Sequence, residues 1–398
     1  MDIYEESLEF HKEHKGKLSV RSKTRIKTRH DLSVVYTPGV AVVCRRIARD
    51  PDEAYNYTMK SNSVAVVSDG SAVLGLGDIG GYGAIPVMEG KCILFKEFAD
   101  VDAIPICFME KSHDLPEQIK NISPVFGGIN LEDISAPRCF EIEEELQDVG
   151  IPVMHDDQHG TAVVVLAALI NACKLTGKNF SDLTITLIGA GAAGYGITLM
   201  LKCLGVDEKF CEPVKEIFVC DSQGIIYKER ENLLENKYKY IIAHETNNEG
   251  RTGSIKDALK GSDVLIGVSA PNVVTAEMVQ SMNSDPIVLA LANPVPEIMP
   301  EDARSAGAVV VGTGRSDYPN QINNVLAFPG IFRGALDAAA TRITDEMKLA
   351  AAHALADYVK KPRRNHILPN VLDKEVAWTI AQAVKQAAVE CGCARIRK

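Results

Sequence analysis

The chain has 398 residues, of which 46% are hydrophobic and 24% are charged, and its formal net charge is -10. This length favours two or three domains over one. The acidic balance disfavours a nucleic-acid role, which needs a basic face, and we interpret the one basic cluster, between Arg21 and Arg29, as solvated surface or a partner contact.

No apolar run approaches the roughly 18–20 residues of a membrane span, and the N-terminus resembles neither a secretory signal nor a mitochondrial presequence. The ten cysteines include no C-x-x-C pair, and only Cys391 and Cys393 are close in sequence, so we predict reduced thiols. These features predict a soluble, cytoplasmic protein without a membrane or nucleic-acid partner.

The first 157 residues alternate between helical and strand patterns. They predict helices at 2–14, 39–50, 84–99, 114–122 and 138–150, and strands at 63–70, 103–108, 127–134 and 151–157. Such alternation favours a largely parallel sheet covered by helices on both faces. Ligands gather beyond the carboxyl ends of the strands in such sheets, and five acids fall there: Asp69, Glu132, Asp133, Asp156 and Asp157.

The segment HDDQHGTAVVVLAALINA, residues 155–172, joins acids to a long apolar run. We predict that Asp156 and Asp157 end a strand and that a buried helix begins near His159 and Gly160. Because side chains alternate between the two faces of a strand, the two aspartates are expected to have different roles. The alternative for Asp157 is that it only caps the helix. We expect structural roles for the two histidines.

A second domain is predicted from residue 157 onward. The strand DLTITLI leads into GAGAAG and then a helix, which is the context in which G-x-G-x-x-G binds a dinucleotide. Gly189 permits the tight turn, Gly191 lets the backbone approach a pyrophosphate, and Gly194 allows close packing of helix on strand. Ala192 and Ala193 lie at the helix N-terminus that would receive the pyrophosphate. The alternative is a glycine turn in an ordinary α/β domain.

The next strand, EIFVCD, ends at Asp221, whose carboxylate can accept hydrogen bonds from ribose hydroxyls. This acid favours NAD by charge, because it would repel a 2′-phosphate. A backbone shift, or movement of Lys228 or Arg230, would instead admit NADP. We interpret VDEKFCEPVKE, which precedes the strand, as a loop insertion.

Three more strands, at 262–271, 286–294 and 308–314, complete a Rossmann-type, doubly wound dinucleotide domain. The predicted parts are an N-terminal α/β substrate and metal domain (1–156), the dinucleotide domain (157–324) and a helical segment (325–398). That last segment is too short to bury a core alone, so we expect it to pack back on the N-terminal domain. The alternative is a separate cap.

The acid pairs Glu132-Asp133 and Asp156-Asp157 predict a metal site. Carboxylates without cysteine suggest a hard divalent cation, Mg²⁺ or Mn²⁺, although the neighbouring histidines leave zinc as an alternative. A dinucleotide, a divalent cation and an acid cluster together indicate oxidative decarboxylation of a 2-hydroxy acid. The cation can chelate the substrate and polarise the keto group that forms.

Eight segments resemble the malic enzyme family, in its short form without the animal extensions. They are VVYTPGVA (34–41), VLGLGDIG (73–80), PVMEGKCILFK (86–96), INLEDI (129–134), HDDQHGTA (155–162), IGAGAAG (188–194), LANPVPE (291–297) and NNVLAFPGIFRGALD (323–337). The set is specific, although no single motif is. The resemblance implies conversion of (S)-malate to pyruvate and CO₂ with reduction of NAD or NADP, Mg²⁺ or Mn²⁺ as the metal, and a homodimer.

The resemblance also implies catalytic roles. Lys91 would take the hydroxyl proton, which it does only when neutral, so we expect burial and a nearby cation to depress its pKa. Tyr36 would protonate the enol carbon. The carboxylates of Glu132, Asp133 and Asp157 would hold the metal, and Asp156 would act beside Lys91.

Other residues would contact the ligands. Asn293 would bind the substrate and the nicotinamide side of the cofactor, and Asn324 would bind the substrate. The amides of Gly39 and Val40 could receive a substrate carboxylate.

One feature of the longer malic enzymes is missing. They carry an arginine shortly before LGLGD that binds a substrate carboxylate, and the aligned place here is Ala72 or Val73. Short-form relatives with a similar VCDS turn include NADP users, which weakens the argument for NAD. Two alternative functions are a metal-dependent oxaloacetate decarboxylase and a catalytically inactive dinucleotide-binding regulator. Malate-dependent absorbance at about 340 nm, the absorbance of the reduced nicotinamide, would separate all three.

Overall fold

The computed structural model describes residues 2–73, 75–109, 114–206, 211–231 and 233–395. Its helices are α1 (Ile3–His14), α2 (Arg29–Val35), α3 (Val40–Arg49), α4 (Ala54–Tyr57), α5 (Gly80–Ala99), α6 (Leu115–Ile122), α7 (Arg138–Leu146), α8 (Asp156–Thr176), α9 (Ala192–Leu201), α10 (Lys237–Glu245), α11 (Ile255–Leu259), α12 (Ala276–Gln280), α13 (Pro300–Ser305), α14 (Phe328–Asp337), α15 (Asp345–Tyr358) and α16 (Glu375–Glu390).

Its strands are β1 (Ser63–Ser68), β2 (Asp102–Cys107), β3 (Gly128–Leu131), β4 (Val153–His155), β5 (Thr184–Ile188), β6 (Glu216–Asp221), β7 (Gly224–Ile225), β8 (Val264–Gly267), β9 (Ile287–Ala290) and β10 (Val310–Thr313). All the strands expected from the sequence are present, with ends that differ by a few residues. The short strand β7 was not expected, because two residues carry no periodic pattern.

The first sheet is parallel and has the strand order β2-β1-β3-β4. Strands β1 and β3 are buried along their whole length, as expected for strands covered on both faces. Because the strands run the same way, the chain leaves β1, β3 and β4 at one edge of the sheet. The residues that follow these strands, Asp69, Glu132 and Asp156, therefore lie along the same edge, as predicted.

The second sheet has the order β10-β9-β8-β5-β6-β7, with every pair parallel except β6 and β7. Strand β5 pairs with β6 on one side and with β8 on the other, so the connections leave β5 in opposite directions. A crevice forms at such a reversal, beyond the carboxyl ends of the strands, and the glycine loop lies there. The predicted doubly wound α/β architecture is confirmed.

Helix α8 corrects two expectations. It begins at Asp156 rather than near Gly160. Among the described residues it is also the one helix long and apolar enough, by length and composition, to cross a membrane. Most of its apolar part is buried inside the protein, which is typical of a core helix. Contacts with α9 and α15 cover this apolar surface.

The C-terminal helices α14, α15 and α16 pack against one another. Helices α14 and α16 also contact α5 of the first sheet, and α15 contacts α8. Near the end of the described chain, Arg395 donates hydrogen bonds to the Ala339 carbonyl and to the Tyr55 hydroxyl, both at 3.2 Å. These contacts agree with a segment that packs back, while the boundaries at residues 156 and 324 stay a prediction.

The prediction of reduced thiols is wrong for two cysteines. Cys203 and Cys211 are joined by a disulfide, with their Cα atoms 5.8 Å apart. The two residues lie within bridging distance although eight positions separate them in sequence. Residues 207–210, which belong to the predicted loop insertion, lie outside the described residues.

Candidate active site

Lys91 lies at the centre of the buried acids. Helix α5 carries it toward the edge of the first sheet, where its Nζ is 2.6 Å from Asp156 Oδ2 and 2.8 Å from Glu132 Oε1. The same nitrogen lies 4.2 Å from the centre of the Phe328 ring. The side chain is only 7% exposed, so these contacts replace almost all of its hydration. The structure therefore brings together Lys91 and Asp156, which the sequence analysis had paired.

The neighbouring carboxylates favour the charged form of Lys91. Burial lowers the pKa of Lys91, but Asp156, Glu132 and Asp157 raise it more, and the net result is a pKa above the ordinary value. Two carboxylates within hydrogen-bond distance favour the ammonium form more strongly than burial disfavours it. The side chains of this structure therefore favour the protonated form of Lys91, while the expected depression of its pKa by burial and a nearby cation stays a prediction.

Three carboxylates form a tight group beside Lys91. Oxygen atoms of Glu132, Asp133 and Asp157 all lie within 4.8 Å of one another. The chain turns sharply after β3, where Asp133 has a φ of 53°, uncommon outside glycine. This turn lets the Asp133 amide donate to Asp157 Oδ2 at 2.9 Å. Residues from two neighbouring strand ends thus meet in one group.

The chemistry of this group fits a divalent cation. Burial raises the pKa of Glu132 well above its ordinary value, and the repulsion of Asp157, Asp156 and Asp133 adds to that rise although Lys91 opposes it. A divalent cation would offset this repulsion, and three carboxylates are the ligands that Mg²⁺ and Mn²⁺ prefer. The three residues are the ones predicted to hold the metal.

The two aspartates of α8 point to different neighbours, but not for the predicted reason. They occupy the first turn of a helix, where successive side chains diverge by about 100°, rather than opposite faces of a strand. Asp156 reaches Lys91, while Asp157 reaches the Asp133 amide. The N-cap position belongs to His155, so the alternative that Asp157 only caps the helix is wrong.

Gly160 leaves room for the Asp156 carboxylate, a role that the sequence analysis missed. The two residues are four positions apart in α8 and so share one face of the helix. A Cβ at position 160 would lie 1.8 Å from Asp156 Oδ1 and 3.3 Å from the Cβ of Asn324. The signal was present in the spacing DxxxG, but only within a helix that begins at Asp156.

Glu143 contacts the start of α8, and this role was not predicted from the sequence. Its carboxylate accepts the His155 amide at 2.9 Å and is 2.9 Å from His159 Nε2. Although burial opposes its ionisation, His159, Lys348 and His155 lower the pKa of Glu143 to about 2. His155 Nε2 lies 3.5 Å from Asp157 Oδ2. These contacts agree with the expected structural roles of the histidines.

Tyr36 is not part of the buried group. The residue ends α2, is 66% exposed, and makes no side-chain hydrogen bond, ion pair or ring contact within the described chain. The prediction that the backbone amides of Gly39 and Val40 receive a substrate carboxylate is wrong. The Gly39 amide donates to the Ser33 carbonyl at 2.8 Å, and the Val40 amide donates to the Tyr36 carbonyl at 2.7 Å. Both donors are therefore used within the chain.

The glycine loop has the geometry that dinucleotide binding requires. Gly189 has a φ of 115°, and a Cβ there would lie 2.5 Å from the Val268 carbonyl oxygen. A Cβ at Gly194 would lie 1.9 Å from the Gly189 carbonyl oxygen, whereas one at Gly191 would meet nothing within 4 Å. The first and third glycines thus serve packing, and the second leaves open space before Ala192, where α9 begins.

Asp221 ends β6 beside this loop, as predicted, but its carboxylate is occupied. Arg230 Nη2 donates to both of its oxygens at 2.8 Å, and Lys239 Nζ lies 2.6 Å from Oδ2. Burial raises the pKa of Asp221, but Lys239, the Gln223 amide and Arg230 lower it below its ordinary value. The side chains of Arg230 and Lys239 therefore already balance the negative charge of this carboxylate.

The loop after β9 approaches the first sheet. A Cβ at Gly75 would lie 3.6 Å from the Asn293 carbonyl oxygen, so the LGLGD and LANP turns face each other. Leu74 of that first turn lies outside the described residues. The fully buried Glu297, which was not predicted, accepts the Ser269 amide at 2.7 Å and the Ala292 amide at 3.1 Å. It thereby holds the ends of β8 and β9 together beneath Asn293.

A large cavity lies elsewhere. Its volume is about 680 Å³, and Ile170, Lys174 and His353 are among its lining residues. These belong to the C-terminal half of α8 and to α15. The cavity therefore lies at the opposite end of α8 from the acids and contains none of the predicted site residues.

Comparisons with known proteins agree with the motifs. A family model described as malic enzyme, NAD binding domain, matches residues 158–389, and one described as malic enzyme, N-terminal domain, matches residues 15–115. The chain is 53% identical to the bifunctional malic/malolactic enzyme of Bacillus subtilis over 400 residues, covering 100% of this chain and 95% of that protein. It is 54% identical to the NAD-dependent malic enzyme of Geobacillus stearothermophilus over 384 residues, covering 96% and 78%.

A solved structure agrees with the fold. The malic enzyme of Pyrococcus horikoshii superposes with a TM-score of 0.93 at 47% identity, covering 100% of this chain and 93% of that one. Relatives named NADP-dependent malic enzyme also match, among them one from Halomonas elongata at 44% identity over 96% of this chain and 92% of that protein.

The role of Gly160 gives a test of the site geometry. In Gly160→Ala, the added methyl group must displace the Asp156 carboxylate from Lys91, so we expect turnover to fall by about a hundredfold or more. Gly90→Ala is the matched control, since it lies beside Lys91 in α5 and its Cβ would meet only Lys17 Nζ at 3.7 Å. It should retain turnover. Equal turnover in the two variants would contradict the proposed geometry.

Proposed function

The chain belongs to the malic enzyme family, and on that premise we propose that it converts (S)-malate and NAD⁺ or NADP⁺ to pyruvate, CO₂ and the reduced cofactor. The single observation that supports this most strongly is the position of Lys91 between Asp156 and Glu132. A buried lysine that touches both a helix-terminal carboxylate and a carboxylate of the candidate metal group suits proton transfer from the 2-hydroxyl group of a substrate held beside it.

Three side chains would hold the divalent metal, namely Glu132, Asp133 and Asp157. When bound, Mg²⁺ or Mn²⁺ would supply Lewis-acid polarisation of the substrate oxygens and offset the negative charge of these carboxylates. The loss of that charge around Glu132 would weaken its hold on the Lys91 ammonium, since Glu132 is one of the groups that raise the pKa of Lys91.

Lys91 and Asp156 would handle the substrate proton. Lys91 takes the proton of the 2-hydroxyl group when it is neutral, and Asp156 keeps its Nζ in place and balances the charge that results. Asn324 lies beside Gly160 of α8 and would orient the substrate. The backbone carbonyl of Asn293 faces the turn that contains Gly75, and the Asn293 side chain would contact the substrate and the nicotinamide side of the cofactor. The nicotinamide of the cofactor would accept the hydride from C2, and loss of CO₂ from the resulting 2-keto acid would leave an enolate that needs a proton on carbon.

The proposed donor of that last proton, Tyr36, leads to the proposal of a homodimer. Helices α1, α2 and α3 have no buried residues, and they expose large apolar side chains that include Leu8, Val34 and Val42. Exposed apolar surface of this kind marks an interaction site. We propose that a second copy of the chain covers it and that Tyr36 contributes to the site of that copy.

Neither of the two alternative functions needs all of the features that this site contains. An oxaloacetate decarboxylase would not need the dinucleotide crevice, and an inactive regulator would not need a lysine buried between two carboxylates. Malate-dependent formation of reduced cofactor, measured with each of NAD and NADP, is the direct test of the proposed function. Formation of pyruvate from oxaloacetate without any from malate would favour the decarboxylase, and absence of both reactions would favour the regulator.

Lys91→Ala should lower malate oxidation by about 10²–10⁴-fold, the usual contribution of a general base. Lys96→Ala is the control, because it removes a cation from the same helix at a side chain that is 50% exposed. Dinucleotide binding and thermal unfolding should be measured on both variants, since removing a buried cation also leaves two carboxylates uncompensated. Near-normal turnover in a folded Lys91→Ala protein would exclude the assigned role.

The two aspartates of α8 should fail differently. Asp157→Asn removes a charged ligand of a hard cation, so we expect Mn²⁺ affinity to fall by about a hundredfold or more. Asp156→Asn should bind Mn²⁺ nearly as well as the wild type and lose turnover, because its carboxylate contacts Lys91 rather than the metal group. Calorimetric titration with Mn²⁺ measures both. Equal losses of affinity would mean that both residues are ligands.

Mixing inactive variants tests the shared site. Tyr36→Phe keeps the ring and removes the proton donor, so pyruvate formation should slow. If a partner supplies Tyr36, an equilibrated mixture of Tyr36→Phe and Lys91→Ala chains regains about a quarter of the wild-type turnover, because one site in each mixed dimer is intact. A mixture as inactive as its components, in chains that sediment as dimers, would assign Tyr36 to its own chain's site.

A further inference from the structure

The carboxylate of Asp221 has no capacity left for a ribose. Oδ1 accepts the Gln223 amide at 2.9 Å and Arg230 Nη2 at 2.8 Å, while Oδ2 accepts Arg230 Nη2 at 2.8 Å and Lys239 Nζ at 2.6 Å. A carboxylate offers about four lone-pair positions, and all four are used. The hydroxyls of an adenosine ribose could bind Asp221 only by displacing one of these donors.

The balance of charge at this position is positive. One carboxylate faces one guanidinium and one ammonium, so the three side chains together carry a net positive charge. Side-chain exposures of 8% for Asp221 and 11% for Arg230 mean that water screens this charge weakly. The repulsion of a 2′-phosphate, which an isolated Asp221 would cause, does not follow from this arrangement.

Arg230 also has donor capacity to spare. Its Nη1 is buried and has no hydrogen-bond partner within the described part of the chain. A buried donor without an acceptor is costly, and an added anion that accepts from it removes that cost. Lys239 is 33% exposed and belongs to the first turn of α10. The Asn236 side chain accepts hydrogen bonds from the backbone amides of Tyr238 and Lys239 in this turn.

The three side chains lie where the adenosine end of a dinucleotide binds. The Gly189 amide donates to the Cys220 carbonyl at 2.8 Å, so the glycine loop starts directly beside Asp221. In a Rossmann-type domain the residue that ends this strand faces the adenosine ribose, whose 2′ position distinguishes NADP from NAD.

We infer that Arg230 and Lys239 receive the 2′-phosphate of NADP, and that Asp221 is the internal anion that holds the two cations in place when no phosphate is bound. This inference rests on the proposed use of NAD or NADP and selects between them. Guanidinium and ammonium groups are the usual partners of a phosphate, and the guanidinium can present two donors to one anion. The chain therefore binds a 2′-phosphorylated dinucleotide more tightly than an unphosphorylated one.

The test uses two fragments that differ only in the phosphate, adenosine 2′,5′-bisphosphate and adenosine 5′-monophosphate. Calorimetry on the wild type should give an affinity about tenfold or more higher for the bisphosphate, the effect of one charge-assisted hydrogen bond. Arg230→Gln and Lys239→Gln should each lower this ratio by about tenfold without weakening the monophosphate. Neither malate nor metal enters the measurement, so failure of the proposed reaction would not affect it.

Lys237→Gln is the matched control. It removes the same charge from the same helix, but Lys237 pairs with Glu144 and is 63% exposed, so the ratio should stay at the wild-type value. Asp221→Asn should raise the ratio of bisphosphate to monophosphate affinity, because it removes the competing anion. If Asp221 held the ribose instead, this variant would bind the monophosphate more weakly. If Arg230→Gln does not fold, Lys239→Gln still tests the inference, because the Lys239 side chain is partly exposed and its replacement disturbs the fold less.

Two results would overturn the inference. One is a wild-type protein that binds the monophosphate as tightly as the bisphosphate. The other is an equal loss of both ligands in Arg230→Gln and Lys239→Gln, which would mean that the two cations only stabilise the end of β6.

Discussion

The structure depends on one constraint, which is the burial of several like charges at the edge of a sheet. Glu132, Asp133 and Asp156 are almost fully buried, and Asp157 lies against them. Isolated carboxylates in such surroundings would bind protons or unfold the chain, so their charge has to be balanced by cations. Lys91 supplies one positive charge from within the chain, and a divalent metal is the natural source of the rest.

The fold meets this constraint by fixing the acids from several sides. Parallel strands bring two acidic segments to one edge, and α8 anchors the second of them through a long apolar helix. Glu143 holds the first turn of that helix by its backbone, and Gly160 leaves the space into which Asp156 points. These contacts fix the distances between the carboxylates and Lys91, which favours catalysis that relies on positioning.

Much of this was predictable from the sequence, and the exceptions have physical reasons. Periodicity and strand ends predicted both sheets, the glycine loop and the metal group, because these follow from local pattern and parallel topology. The start of α8 was missed because acids suit strand ends and helix N-termini equally. The raised pKa of Lys91 and the occupied carboxylate of Asp221 were missed because both depend on partners distant in sequence. For the same reason nothing in the spacing indicated that Cys203 pairs with Cys211.

The central claim is that the three carboxylates form a metal site and that Lys91 remains paired beside it. A crystal of the protein grown with Mn²⁺ and examined by anomalous scattering at the manganese edge tests this most directly. We predict an anomalous peak among Glu132, Asp133 and Asp157, with the Lys91 amine still bound to Asp156. A peak elsewhere in the molecule, or one coordinated by Asp156 with Lys91 displaced, would contradict it.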